Sequence, residues 1–381
     1  MPNSKNKILM STSNTLAIFV ATSGHSGVDR LMHHLIPAIA RRGYPVDVLK
    51  VRNHGPYLKN TPPGVNIIDL GARHVYSSFP ALIRYLKRKH PTVIFTDKDR
   101  VNRTVILARV LSKVSSRLIV SSGTTISIDL AGRGPFERLL QRTSMKYLYP
   151  YADNIIVTSE GVADDMAEYT GLARELIEVA PCPVVSEELF HASQPRPDHP
   201  WFNKGEHPVI LGVGELSMRK DFTTLVRAFA KVSAEQPCRL VILGRGKQRD
   251  QLLALAKKLG VADDIDLPGF KPNPYSYMAH AALLAFTSRW EGLGFVLIEA
   301  LAIGTPVVST DCPSGPSEIL AGGRYGPLVP VGDVEAVAKA ILNTLNHPLS
   351  RTVLQEAALP YEIEQSTSAY LRAMGLDTRD N

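Results

Sequence analysis

RWEGLGFVLIEALAIGTPVVSTDCPSGPSEIL, residues 289–320, is the stretch on which the fold turns. An apolar run, LLAFTS (283–288), ends where it begins; Glu291, Gly292 and Gly294 make a loop, FVLIEALAIG contains a helix, and PVVST (306–310) reads as the next strand. Strand, loop, helix and strand in that order imply a parallel sheet with crossover helices. Upstream the same grammar runs through VILGVG (209–214), a helix near DFTTLVRAFAKV, RLVILG (239–244), a helix in QRDQLLALAKKLG, and DIDLPGF; downstream it continues through VAKAILNTL to a last helical stretch ending near Tyr370. The first half repeats it with LAIFVA (16–21), VDVLKV (46–51), TVIFT (92–96), RLIVS (117–121) and NIIVTS (154–159). Between the two series a Pro-rich stretch, SQPRPDHPWFNKGEHP (193–208), breaks the periodicity and reads as a linker.

Length agrees: 381 residues exceed the roughly 250–300 at which one hydrophobic core stops growing. The expected architecture is α/β with two open sheets in tandem: an N-terminal domain over 1–190, a linker over 191–207, a second domain over 208–350 and a C-terminal segment over 351–381. Ligands of such sheets bind beyond the carboxyl ends of the strands, so two sheets facing each other would form a cleft.

Hydrophobic residues make up 44% and charged residues 21%, which suits a globular protein and neither disorder nor collagen. No apolar run approaches the roughly 18 residues that span a bilayer. Lys5 and Lys7 precede an apolar stretch at the start, but STSNT interrupts it, and LAIFVA is read as the first strand rather than a signal. Cys182, Cys238 and Cys312 are too far apart for a disulfide framework or a paired metal-ligand motif, and a reducing cytoplasm is the simplest compartment. Charge is lopsided. Residues 1–150 hold 23 lysines and arginines against 7 acids, a net +16, whereas 151–381 hold 20 against 29. The basic clusters RYLKRKH (84–90), DKDRVNR (97–103) and RGPFERLLQRTSMK (133–146) suit an anionic partner, a membrane surface or an anionic substrate. No nucleic-acid module is present, so nucleic acid is not expected as a partner.

Dinucleotide binding fails on its own motif: Ser217 and Arg249 stand where the third glycine of GxGxxG belongs in GVGELS and GRGKQR, and no P-loop pattern occurs. A different anion is indicated. Glu291 in the loop and Glu299 on the helix bracket a glycine-rich helix N-terminus, whose amides around Gly294, Phe295, Val296 and Leu297 would meet a phosphate. Carboxylates on either side would accept hydrogen bonds from hydroxyls, which suits a sugar nucleotide. A second loop, GVGELSMRKDF (212–222), carries Arg219 and Lys220; a lysine about 4 Å from a leaving diphosphate is worth on the order of 4 kcal/mol at an effective dielectric near 20.

GELSMRKD, LGRG (243–246), PGF (268–270), EGLGFVLIE (291–299) and GTPVV (304–308), in that order, resemble the motifs of the retaining glycosyltransferases of family 4. The tail CPSGPSEIL (312–320) is similar to members that build bacterial surface polysaccharides. The resemblance implies a GT-B fold, two Rossmann-like domains facing each other across a cleft, with the last helix, near YEIEQSTSAYLRAMG (361–375), returning to the first domain. It implies that Lys220 contacts the donor diphosphate, Glu291 the donor sugar, Glu299 the ribose, and the backbone of Gly294–Leu297 the distal phosphate and sugar. Gly24 and Gly27 in SGHSGVDR (23–30), beside His25, would let the first domain approach the donor. No metal and no other cofactor are implied.

Two positions depart from the family pattern. Glu215 stands where an arginine is common, and SSGTTIS (121–127) has no histidine where relatives carry one. Arg219 paired with Lys220 would restore the missing cation. The expected function is transfer of a sugar from a nucleotide-sugar donor to a growing or lipid-linked glycan, as in lipopolysaccharide or exopolysaccharide synthesis, by a cytoplasmic enzyme with an affinity for the inner face of the cell membrane. The alternatives are a catalytically weakened module that binds a nucleotide sugar, motivated by Glu215, and a nucleotide-sugar epimerase.

Overall fold

The computed structural model describes residues 15–22, 24, 26–58, 60–202 and 207–376. His25 and residues 203–206 of the Pro-rich stretch lie outside them.

Seven parallel strands form the first sheet: β1 (Leu16–Val20), β2 (Val46–Lys50), β3 (Val65–Asp69), β4 (Val93–Asp97), β5 (Arg117–Ser122), β6 (Asn154–Val157) and β7 (Ile177–Val179), in the order β3-β2-β1-β4-β5-β6-β7. Six form the second: β8 (Val209–Val213), β9 (Arg239–Leu243), β10 (Ile265–Gly269), β11 (Leu283–Phe286), β12 (Val307–Thr310) and β13 (Leu328–Val329), in the order β10-β9-β8-β11-β12-β13. Every residue of β1 is buried, because helices cover both faces of a parallel sheet and the strand needs no polar side.

The motif reading passes over β3, β7 and β13, and all three are edge strands. β3 leaves Asn66, Ile67 and Asp69 exposed, so pairing with β2, from Val46↔Val65 to Lys50↔Asp69, defines it rather than an apolar run. The core of the second sheet is simpler. Phe222, Leu225 and Phe229 on the helix Phe222–Glu235 pack with Ile210, Leu240 and Ile242 of the strands beneath.

The described residues divide into two compact units: those within Met1–Ser122, Thr143–Ile156 and Leu371–Asn381, and those within Gly123–Arg142 and Val157–Tyr370. In the second unit the Val184 and Val185 amides donate to Tyr361 O at 2.9 and 3.0 Å, and Ser366 Oγ donates to Pro181 O. In the first, Asn154 Nδ2 donates to Ala373 O at 3.0 Å.

Strand order sets the place of a ligand. The second sheet grows from β8 to β9 and β10 on one side and from β11 to β12 and β13 on the other, so the loops after β8 and β11 leave the carboxyl edge side by side at the point where the order reverses.

Candidate active site

Hydrogen bonds lace those two loops together. Thr287 Oγ1 donates to the Lys220 and Asp221 carbonyls at 3.1 and 3.2 Å, and Arg289 N donates to Arg219 O at 2.7 Å. Arg289 Nε reaches Asp221 Oδ2 at 3.0 Å. Asp221 caps the helix Phe222–Glu235, accepting from Thr224 N and Oγ1, and sits at φ 46, a left-handed conformation that aspartate tolerates better than most residues.

This lacing places three charges in contact. Lys220 Nζ donates to Glu291 Oε1 at 2.6 Å, and Arg219 Nη1 donates to Glu291 Oε2 at 2.6 Å. Ser288 Oγ donates to Oε1 at 2.7 Å. Lys220 and Glu291 are only 8% and 7% exposed, so water does little to screen them. Burial pushes the Glu291 carboxyl upward, but Lys220 and Arg219 outweigh it and hold the group below the ordinary carboxylate range. Burial lowers the Lys220 ammonium, and Arg219 adds to that against the pull of Glu291. Nearby Cys312 is pushed up to about 12, first by burial and then by Glu291, and is therefore neutral. Two cations against one anion leave an excess positive charge at the switch point.

Glycines make room for this arrangement. The Lys220 stem lies across Gly214, where a Cβ would stand 3.0 Å from Cε. A Cβ on Gly244 would fall 1.7 Å from Gly214 O, so the glycine in LGRG serves the approach of two backbones and not a dinucleotide turn. Lys220 Nζ also sits 4.8 Å from the centroid of the Phe286 ring. Glu215 is exposed and takes no part in the charge cluster.

Next comes the helix Phe295–Ile303, which starts from Gly294 at φ 100 with no side chain capping it. The Leu297 amide already donates to Gly294 O at 2.9 Å, so it is occupied within the first turn. Glu299, 1% exposed in an otherwise apolar helix, accepts from Tyr275 Oη at 3.2 Å.

Residues that the motif reading did not single out hold the Glu291 loop. Thr125 Oγ1 donates to Glu291 O at 2.8 Å and Ser159 Oγ to Gly292 O at 3.0 Å. The Glu318 carboxylate accepts from the Glu160 and Gly161 amides at 2.8 and 2.9 Å. These bonds span more than 130 positions in sequence, and no local spacing signals them.

Of the residues singled out by sequence, Glu291, Lys220 and Arg219 meet directly, and Gly294, Phe295, Val296, Leu297 and Glu299 follow on the same loop and helix. Gly24 and Gly27 belong to the first unit, in the turn after β1, where Ser26 and Asp29 form a capping box on the helix Gly27–Arg41. Among the described residues no group of three or more His, Cys, Asp or Glu side chains is placed to hold a metal ion.

HepE of Anabaena, solved in complex with UDP, superposes with a TM-score of 0.74 at 15% identity, covering 95% of this chain and 99% of that one. The fold is that of the GT-B glycosyltransferases. The model for "Glycosyl transferases group 1" matches residues 196–359 and that for "Glycosyltransferase Family 4" matches residues 25–188. The chain belongs to the family 4 glycosyltransferases.

Among its relatives, the N-acetylgalactosamine-N,N'-diacetylbacillosaminyl-diphospho-undecaprenol 4-alpha-N-acetylgalactosaminyltransferase of Campylobacter jejuni is 29% identical over 355 residues, 90% of this chain and 93% of the relative. The lipopolysaccharide core biosynthesis glycosyltransferase LpsE of Rhizobium meliloti is 27% identical over 353 residues, 91% of this chain and 95% of the relative. Such matches do not favour a binding module or an epimerase.

Proposed function

We propose that the chain transfers a sugar, with retention at the anomeric carbon and without a metal, from a nucleotide-sugar donor to a lipid-linked glycan in the assembly of a bacterial surface polysaccharide. The observation that carries this reading is the convergence of Arg219 and Lys220 on Glu291 at the switch point of the second sheet. In the reaction the bond from the anomeric carbon to the diphosphate breaks, and its electron pair leaves with the phosphate oxygen. Lys220 and Arg219 neutralise that developing charge, and the amide end of the helix Phe295–Ile303 adds to them. Glu291 accepts hydrogen bonds from donor-sugar hydroxyls and Glu299 from the ribose. Gly24 and Gly27 are further donor-binding positions in this proposal. The acceptor hydroxyl enters on the face that the diphosphate leaves, its oxygen bonds to the anomeric carbon and its proton passes to the leaving phosphate oxygen, so no enzyme nucleophile is needed.

Three observations support the donor and acceptor classes. HepE holds UDP, the C. jejuni relative is named for a diphospho-undecaprenol acceptor, and LpsE is named for lipopolysaccharide core. The basic first half suits an anionic membrane, and the proposed place of action is the cytoplasmic face of the cell membrane. No helix among the described residues is long and apolar enough to cross a membrane.

A thermal-shift panel of nucleotide sugars tests the reading, since a ligand bound only by the native state raises the melting temperature. One donor should stabilise the wild type and fail to stabilise Lys220→Met, and the same donor should be hydrolysed slowly without acceptor. Tight binding without turnover on any acceptor would return the chain to a binding role.

A further inference from the structure

Glu299 is the one charged residue in the helix Phe295–Ile303, and it is buried. A carboxylate taken out of water into apolar surroundings persists where donors meet it. Tyr275 supplies such a donor: its Oη donates to Glu299 Oε1 at 3.2 Å, across 24 positions of the chain. Tyr275 opens the helix Tyr275–His280, which follows the strand Ile265–Gly269 and packs against the helix that carries Glu299.

Bonds at both ends hold that short helix in place. Before it, Asn273 Oδ1 accepts from the Tyr275 and Ser276 amides at 3.2 and 3.4 Å. Asn273 Nδ2 donates to Ala192 O at 2.7 Å, which ties the turn to the helix Glu187–Ser193. Toward its far end, Thr305 Oγ1, just past the helix of Glu299, donates to Met278 O at 2.7 Å, and Tyr277 and Met278 are buried. A linked series thus runs from Ala192 through Asn273 and Tyr275 to Glu299, and all four residues belong to the second unit. The phenol at its end is a rigid donor, and its bond to an ionised carboxylate is of the stronger, charge-assisted kind.

We infer that Tyr275 is a positioning residue for nucleotide recognition: by donating to Oε1 it sets the plane of the Glu299 carboxylate, and through that plane the preference for a nucleotide that carries ribose hydroxyls. The inference rests on the ribose contact of Glu299 proposed above and adds the residue that aims the carboxylate. A group aimed at hydroxyls rejects an analogue without them, because its hydrogen-bonding capacity is then left unmatched. Loss of aim therefore weakens the hydroxylated ligand and leaves the analogue nearly unaffected.

Calorimetric titration of the full chain with UDP, GDP and ADP, each against its 2′,3′-dideoxy form, is the test. The wild type should prefer the ribose form of the diphosphate it binds. Tyr275→Phe keeps the ring and removes the hydroxyl; it should weaken the ribose form about tenfold and the dideoxy form less than about twofold. With the matching nucleotide sugar, the donor KM should rise more than kcat falls, whereas a loss of packing alone would weaken both forms alike. Tyr275→Phe/Glu299→Gln should bind no worse than Glu299→Gln, because the phenol acts through the carboxylate. Wild-type preference in Tyr275→Phe, with that preference lost in Glu299→Gln, overturns the inference and leaves the ribose contact standing. An unchanged preference in Glu299→Gln overturns both, as does a wild type that binds none of the three or binds the two forms equally.

Discussion

Arg219 and Lys220 are neighbours in the chain, and their side chains bond to opposite oxygens of the Glu291 carboxylate, each at 2.6 Å. Adjacent residues in an extended chain point apart. Here a turn brings them round: the Lys220 and Asp221 amides both donate to Ser217 O, at 3.2 and 3.3 Å, and Asp221 is left-handed. Arg219 thus shares the carboxylate with Lys220, while Glu215 is exposed.

Lys220→Met should lower turnover by roughly 10²- to 10³-fold, as loss of a positioned charge at a leaving group does. It also leaves Glu291 buried with only Arg219 and Ser288 as side-chain donors, at a cost of roughly 2–4 kcal/mol in urea denaturation. Lys220→Met/Glu291→Gln should recover much of that stability and none of the turnover. Recovery of activity in the double variant would reduce the pair to a structural role.

Arg219→Ala removes a cation whose side chain is 35% exposed, so the stability cost should stay under about 1 kcal/mol. The donor KM should rise about tenfold through the lost charge. Unchanged affinity and turnover would leave Lys220 as the sole donor-facing cation.

Gly214→Ala places a methyl 3.0 Å from Lys220 Cε and 3.1 Å from Cδ. The lysine stem must shift, and turnover should fall about tenfold, because a displaced charge loses alignment with the leaving group. Comparing melting temperatures of the variant and the wild type separates this from unfolding.

Thr125→Val takes the hydroxyl donor from Glu291 O, which keeps the Ser314 amide at 3.2 Å, and Ser159→Ala takes the nearer of two hydroxyl donors from Gly292 O, which keeps Thr158 Oγ1 at 3.4 Å, so each should cost about 0.5–1.5 kcal/mol. Amide hydrogen exchange should quicken at residues 289–294 more than elsewhere. Uniform loss of protection would point to a global effect.

Burial raises the Asp97 carboxyl from 3.8 to about 6, against Ser121 and Lys98. Between those values the native state keeps a proton that the unfolded chain has lost, so this group's contribution to stability falls as pH rises through the interval and stays lost above it. Asp97→Asn should therefore stabilise the chain more at about pH 8 than at about pH 5, by roughly 1–2 kcal/mol. Equal melting-temperature shifts at both pH values would contradict the raised carboxyl.

Central strands were legible because burial on both faces demands continuous apolar runs, as in Leu16–Val20 and Arg239–Leu243. Edge strands such as Val65–Asp69 and Leu328–Val329 were not, since pairing and not composition defines them. The charged part of the site was legible for a related reason. Glu291, Gly294 and Glu299 sit within one loop and helix, and Lys220 follows a strand, so short spacings record them. Tyr275, Ser288, Thr125, Ser159 and Glu318 escaped notice because hydroxyls and a carboxylate scattered over the chain carry no periodic signal.

From its residues alone, this protein's alternating strands and helices, its lopsided charge and the carboxylates around Gly294 were determined, because hydrophobic period and local spacing are properties of neighbouring residues. Only the folded chain decided that Arg219 and Lys220 share one carboxylate, that Thr125 and Ser159 hold its loop, and that Tyr275 reaches Glu299. A side chain's direction and its distant partners depend on which segments pack together. That is fixed by the balance of burial across the whole chain and not by any stretch of it.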